Sequence, residues 1–356
     1  MKNKTMFLRY LVLMAGLLLV FGSCKKNSGG APNPSGILPA DSAAGNATVY
    51  ITGNNLGGIT SIMFSSDSVP APFNSNFNTN NAIIFRVPDT AFGGPQKIIF
   101  TNKAGQTFSV AFNVLAFPSV SSVSNYDFNP GDTITLTGNN LESTNSVTLS
   151  DGTALTIVSK SHKQVVVIFP ATQLTRSFLT ITNSTGSVTT SQEFLSIANA
   201  YVIYANGNFG QSGGVSSGSW GPSGQGLAPT PLYKNDPSFF STYGQGDWWA
   251  NGFAFWNPPY FPKDPSYTYF TFWIYGGSLD YTFYITASCA AGGSYGNSDV
   301  SNPIDVQPNQ WNFYKLKISS LGLISGAANF EQLGWWVKGP NTTSETMYFD
   351  DVMFVK

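Results

Sequence analysis

The sequence predicts an all-β chain of three sandwiches, and three observations carry that expectation. Charged residues make up 10% of the chain, against a usual level of about 25%. Their place is taken by 28 Phe, 16 Tyr and 36 Gly, with many Ser, Thr and Asn. Aromatic and β-branched residues favour strands, and Gly/Asn/Pro clusters favour turns. A block of roughly 80 residues occurs twice in the first half. In both halves apolar and polar residues alternate with the period of a half-buried strand. No long helical pattern appears after the N-terminus.

Residues 1–23 carry Lys2, Lys4 and Arg9, then the apolar run LVLMAGLLLVFG, then Ser23. A basic start, a short apolar run and small residues describe a secretory signal. The run is too short for a typical membrane-spanning helix. Phe21-Gly22-Ser23-Cys24 resembles a bacterial lipobox, which implies lipidation of Cys24 and anchoring to the lipid of the outer membrane. The alternative is an ordinary signal with an incidental cysteine. Residues 24–40 are rich in Gly, Pro, Ser and Asn and read as an extended tether.

The internal repeat spans 41–116 and 117–198. Thr48-Val-Tyr-Ile-Thr-Gly-Asn-Asn-Leu56 matches Thr133-Ile-Thr-Leu-Thr-Gly-Asn-Asn-Leu141. Ile83-Ile-Phe-Arg-Val-Pro88 matches Val165-Val-Val-Ile-Phe-Pro170, and Ile99-Phe-Thr-Asn102 with Gly105 matches Thr180-Ile-Thr-Asn183 with Gly186. Three matched blocks in one order make chance a poor explanation. The size suits a small sandwich, and Gly-Asn-Asn supplies residues that tolerate positive φ. The first copy lacks a counterpart to Asn129-Pro-Gly-Asp132, which suggests a shortened leading strand.

The third domain, 199–356, holds all eight tryptophans. Its strand candidates are Tyr201–Tyr204, Gly252–Trp256, Tyr267–Tyr275, Tyr281–Ser288, Asn312–Ile318, Leu333–Lys338 and Met347–Val355. In Tyr267–Tyr275, Phe270, Phe272 and Ile274 share one face, and Tyr269, Thr271, Trp273 and Tyr275 share the other. Both faces are aromatic. Either the long loop 206–233 covers the second face, or that face carries ligand.

Several chemistries are excluded or disfavoured. Removing 1–23 leaves 14 basic against 18 acidic residues, with no basic stripe to neutralise phosphates, so nucleic acid is not an expected partner. His162 is the single histidine, and Cys289 is the single cysteine beyond Cys24. A zinc site of the His/Cys type and a histidine-based triad both lack their residues. Cys289 reads as a small buried residue. Lys160, His162 and Lys163 read as a solvated turn.

Pro118-Ser-Val-Ser-Ser-Val123, Asn129-Pro-Gly-Asp132 and Thr133–Leu141 resemble the IPT/TIG immunoglobulin-like domain, which implies two Ig-like sandwiches acting as spacers. The closing segments Trp311–Ile318, Leu333–Val337 and Met347–Phe354 resemble carbohydrate-binding jelly rolls. The order of lipobox, tandem IPT/TIG-like repeats and Trp-rich end resembles the surface glycan-binding lipoproteins of bacterial polysaccharide-utilisation systems. That resemblance implies a non-catalytic protein on the cell surface. It would hold a neutral plant-type glycan such as xyloglucan, β-glucan or mannan, in company with an outer-membrane glycan transporter complex. The competing readings are a glycoside hydrolase or lyase, which needs two carboxylates about the scissile bond, and a surface adhesin that binds protein.

In that family the platform comes from an early Trp and an aromatic pair some thirty residues later, which falls here on Trp220 and Trp248-Trp249. A flat indole matches the C–H-rich face of a pyranose, and stacking removes both from water. On a strand one of Trp248 and Trp249 would face the core; on a turn both could reach ligand. Asp247, Asn251 and Gln245 are rim candidates by proximity. Trp335-Trp336 is the rival pair, with one member expected in the core. Trp256, Trp273 and Trp311 read as packing. No cofactor is expected. Asp350-Asp351 reads either as part of a structural Ca²⁺ site, as in related jelly rolls, or as a partnered pair within a strand–loop network.

Overall fold

The computed structural model describes residues 30–210, 215–217, 224–234, 236–246, 250–255, 261–262, 264–288, 297–321, 329–330 and 332–356. Cys24, Trp220, Asp247, Trp248, Trp249, Trp256 and Cys289 lie outside the described residues. Among those described, strands dominate and helix is confined to four short 3₁₀ turns. The chain divides after Ala116 into two units.

The first unit is a sandwich of a three-stranded and a five-stranded sheet. Val49, Ile51, Ile83, Phe85, Ile98 and Phe100 fill its core at 3% exposure or less. In Thr48–Asn54 the burial alternates as the sequence pattern does. Asn33–Leu38 belongs to this sandwich as an edge strand, antiparallel to Thr48–Asn54. This corrects two expectations: the tether does not extend to residue 40, and the first copy's leading strand is not shortened, at six residues against five in Ser119–Val123. The Gly-Pro-Asn composition that reads as linker is tolerated because an edge strand bonds on one side only.

The second unit begins with a sandwich of two four-stranded sheets around Ile134, Leu136, Val165, Val167, Ile181 and Phe194. The repeat in sequence is a repeat in geometry. Asn55 and Asn140 both adopt φ of +59°, and Leu56 and Leu141 behind them are fully buried. At Gly53 a Cβ would stand 2.3 Å from the Asn33 carbonyl oxygen, and at Gly138 it would stand 1.7 Å from that of Ser119. Each glycine lets the leading strand cross at a register shift beside it. Asn102 and Asn183 cap equivalent hairpins through their side-chain oxygens. The basic residues around His162 serve the domain's own fold: Lys160 Nζ donates to the Thr144 carbonyl at 2.7 Å, and His162 Nδ1 lies 3.1 Å from Glu142 Oε2.

The C-terminal sandwich faces a seven-stranded sheet onto a five-stranded one. Phe270, Phe272, Ile274, Phe283, Ile285, Phe349 and Trp335 fill the space between them. The seven expected strands appear with small changes of boundary, and Gly224–Tyr233, Asp236–Tyr243 and Asn297–Val306 join them. Most of the described residues within the loop expected over 206–233 are therefore strand. The second face of Tyr269–Tyr275 is covered in another way, chiefly by the preceding Ig-like domain. Leu195 and Ile197 pack with Val202, Met353 and Val355, against Tyr269 and Phe313. Tyr126 stacks on Phe313 at 4.8 Å and 13°, and Trp273 Nε1 donates to Asp127 Oδ2 at 2.7 Å.

Asp350 and Asp351 stand where the Glu345–Val355 strand changes neighbour, from Asp236–Tyr243 to Tyr201–Ala205. Asp351 takes φ of +40°. Ser238 Oγ donates to Asp350 Oδ2 at 2.8 Å, and Lys234 Nζ donates to Asp351 Oδ2 at 3.0 Å. Each of the two carboxylates thus has a side-chain donor within the sandwich.

Candidate functional site

The outward face of the five-stranded sheet is built by alternation. Phe253 and Phe255, Leu333, Trp335 and Val337, and Phe283 and Ile285 point into the core. The residues between them point out. On Ala250–Phe255 these are Ala250, Gly252 and Ala254. On Gln332–Gly339 they are Gln332, Gly334, Trp336 and Lys338. On Tyr281–Ser288 they include Thr282, Tyr284 and Thr286. Trp335 is fully buried and Trp336 half-buried, so the rival pair divides into core and surface.

Register brings Tyr284 directly opposite Trp336. Their ring centroids are 5.8 Å apart at 23°, a stacked pair that leaves both rings partly exposed. Sequence reading alone did not single out Tyr284. An isolated tyrosine in an alternating strand carries no local signal, and only cross-strand register shows its neighbour.

Beside the pair the outward residues are small. Gly252 faces Gly334, and Thr286 is the other neighbour of Gly334. A Cβ on Gly252 would lie 2.4 Å from Gly334 Cα, so this close approach of strands requires glycine. Gln332 is buried next to Ala254, and among the described residues no donor reaches its Oε1. On the other side Thr282 Oγ1 donates to Asp305 Oδ1 at 2.7 Å, and Lys338 is exposed. The face therefore carries two part-exposed aromatic rings and a rim of hydroxyl, carboxylate and ammonium, while the small residues beside them are buried, Ala254 at 0% and Thr286 at 1% exposure.

The expected rim residues fare differently. Asn251 is fully buried and shares the inward face with Phe253 and Phe255. It lies opposite Trp335, whose carbonyl accepts from the Tyr243 hydroxyl at 3.0 Å. Its place in the alternation explains the correction: an inward position cannot reach the rim. Gln245 is exposed, with its backbone N–H on Ser344 Oγ. Asp247, Trp248 and Trp249 immediately precede Ala250, which register sets opposite Trp336.

The strongly perturbed carboxyls lie away from this face, at the seam with the Ig-like domain. Burial pushes the Asp127 carboxyl well above its usual range, and the charge of Asp351 adds to this. Burial also raises Asp350, with Asp351 next, and raises Asp351 against the pull of Lys234. For Lys234, burial disfavours the ammonium, but Asp351 and then Asp127 outweigh it and hold the group above its usual value. The Tyr233 phenol, raised by burial and then by Asp127, stays protonated and donates to Asn125 Oδ1. These groups join domains; they do not line the aromatic face.

Residues 32–114 and 118–196 match the IPT/TIG domain family. No match is found among the curated proteins. Among solved structures, a surface glycan-binding protein from Prevotella bryantii is similar over 92% of this chain and 99% of its own. The identity is 16% and the TM-score 0.47. A protein of a complex xyloglucan utilization locus in Bacteroides uniformis is similar over 92% and 100%, at 17% identity and a TM-score of 0.42. A family 11 carbohydrate-binding module from Clostridium thermocellum, in complex with a mixed-linked tetrasaccharide, is similar over 41% and 90%, at 14% and 0.30. The chain thus carries two tandem IPT/TIG domains, over residues 32–114 and 118–196, followed by a C-terminal β-sandwich of its own topology.

Proposed function

We propose that this protein binds a neutral polysaccharide without cleaving it, through the outward face of the five-stranded sheet. The observation that carries the reading is the register-paired Tyr284–Trp336 stack, partly exposed on a face whose neighbouring positions are Gly, Ala and Thr. The part-exposed faces of the two rings suit the C–H-rich face of a pyranose, and the Thr282–Asp305 rim supplies partners for its hydroxyls. Trp248 and Trp249 lead into the strand beside Trp336 and extend the platform in this reading, and Trp220 completes it. Cys24 carries the lipid that holds the chain at the outer membrane, facing outward, with the two IPT/TIG domains as spacer. A transporter complex takes the glycan onward.

The test is gel retardation of residues 25–356 in xyloglucan, mixed-linkage β-glucan, mannan and xylan, with parallel measurement of reducing ends. Retardation without product release supports the reading. Product release from any of these would instead make the protein a hydrolase or lyase. Labelling of the full chain with a radioactive fatty acid, lost on Cys24→Ser, checks the anchor.

A further inference from the structure

A cleft opens where the second IPT/TIG domain meets the C-terminal sandwich. Its volume is about 660 Å³, within the range of ligand sites, which favour domain boundaries. Residues 123–126 line it on the Ig-like side, with Tyr126 stacked on Phe313 at 4.8 Å. Tyr233, Lys234, Trp273, Trp311 and Phe313 form the other side. Tyr233 lies 4.9 Å from Trp273 and 5.0 Å from Trp311, and Phe313 lies 4.9 Å from Trp273. Tyr126, Trp311 and Phe313 remain partly exposed.

We propose that this cleft is a second binding site for a neutral polysaccharide, separate from the Trp336 face. The proposal rests on the reading of the protein as a glycan binder. Three features select the ligand. The lining is aromatic with a polar fraction, from Ser124, Asn125 and Lys234, which suits sugar rings and their hydroxyls better than an aliphatic ligand. Its one cation is already balanced: Lys234 Nζ lies 3.0 Å from Asp351 and 3.7 Å from Asp132. An acidic ligand would therefore compete with the buried Asp351 and the part-exposed Asp132, whereas an uncharged one would not. Finally, the cleft continues into a track. Trp311 pairs with Tyr275, Tyr275 with Tyr348, and Tyr348 with Phe240, across four neighbouring strands. Successive centroids stand 5.6, 6.0 and 6.4 Å apart, and all four rings are partly exposed. A row of rings leading out of a cleft fits an extended chain better than a small molecule.

Two sites on one chain raise retention on a long polymer through effective concentration, with no change in either site. The test combines gel retardation with hydrogen–deuterium exchange of the chain 25–356, using xyloglucan and mixed-linkage β-glucan as probes. Saturating polysaccharide is expected to slow exchange of the amides at 123–126, on the Ig-like wall, and to do so still in Trp336→Ala. Trp311→Ala is expected to abolish that protection and to weaken retention several-fold. Ser124→Arg, which fills the mouth from an exposed position without removing a ring, should do the same. If the wild type is retained yet 123–126 exchange unchanged and both variants bind as it does, the second site does not exist. If the wild type is retained by neither polysaccharide, the underlying glycan reading fails and this proposal falls with it.

Discussion

Trp273 Nε1 donates a 2.7 Å hydrogen bond to Asp127 Oδ2, across 146 positions of sequence and between two domains. Both residues are buried, and Asp127 Oδ1 has no partner among the described residues. The bond ties the Ig-like domain to the sheet that carries Asp350 and Asp351. Trp273→Phe keeps an aromatic ring but removes the donor and leaves the carboxyl bare. It is expected to lower stability by about 2–3 kcal/mol, the cost of stranding a buried polar group. Urea denaturation of the chain 25–356 measures this.

The same pair predicts a pH dependence. Burial raises the Asp127 carboxyl well above its usual value, with Asp351 adding to the rise and Lys234 and Trp273 opposing it. Asp350, Asp351, Lys234 and Tyr233 face the same seam. A raised acid binds its proton more tightly in the folded state. Its contribution is therefore full below the unfolded pKa, near 3.9, and is lost as pH rises through the folded value. Asp127→Asn mimics the protonated form. It is expected to raise the melting temperature at pH 8 relative to wild type, and to flatten the decline in melting temperature between pH 5 and pH 8. An unchanged slope in scanning calorimetry would contradict the assignment of Asp127.

The repeated glycines give a third prediction. A Cβ at residue 138 would overlap the Ser119 carbonyl oxygen at 1.7 Å, and the obstacle is backbone rather than a movable side chain. Gly138→Ala is expected to cost about 3 kcal/mol, at the upper end for overpacking. Gly53→Ala should destabilise the first sandwich in the same way. Chemical denaturation of each variant checks both.

Trp335 and Trp336 are adjacent and opposite in role. Trp335 is fully buried and meets Phe349 at 4.5 Å and Phe272 at 5.0 Å. Trp335→Ala is expected to cost about 3–5 kcal/mol of stability. Trp336→Ala removes a part-exposed ring and should cost about 1 kcal/mol or less, while weakening binding to polysaccharide. Denaturation curves read beside retention separate the two roles.

Much of this fold was legible because aromatic alternation is a strong signal. In Tyr269–Tyr275 the division of Phe270, Phe272 and Ile274 from Tyr269, Trp273 and Tyr275 follows from parity alone. The strands that escaped were mostly edges: Asn33–Leu38, Gly224–Tyr233 and Asn297–Val306 each end the order of a sheet. An edge strand bonds on one side and tolerates Gly, Pro and Asn, so its sequence looks like a loop. Asp236–Tyr243 is interior but starts on Asp-Pro, which reads as a turn. The surface role of Trp336 could be anticipated from its strand, whereas its partner Tyr284 needed register. Asn251 could have been placed inward by counting from Phe253, and proximity in sequence was the weaker guide. The cover over Trp273 could not be read locally, because it comes from Tyr126 and Asp127 in another domain.

The central claim is that part-exposed aromatic rings on the outward face of the five-stranded sheet hold a polysaccharide. The most direct measurement is isothermal titration of xyloglucan and mixed-linkage β-glucan into the chain 25–356 and into Tyr284→Ala/Trp336→Ala, with folding verified by circular dichroism. The account predicts binding by the wild type to at least one of the two, and a loss of affinity of about tenfold or more in the folded double variant, as expected for removing two stacking rings. Equal affinity in the two proteins would contradict it.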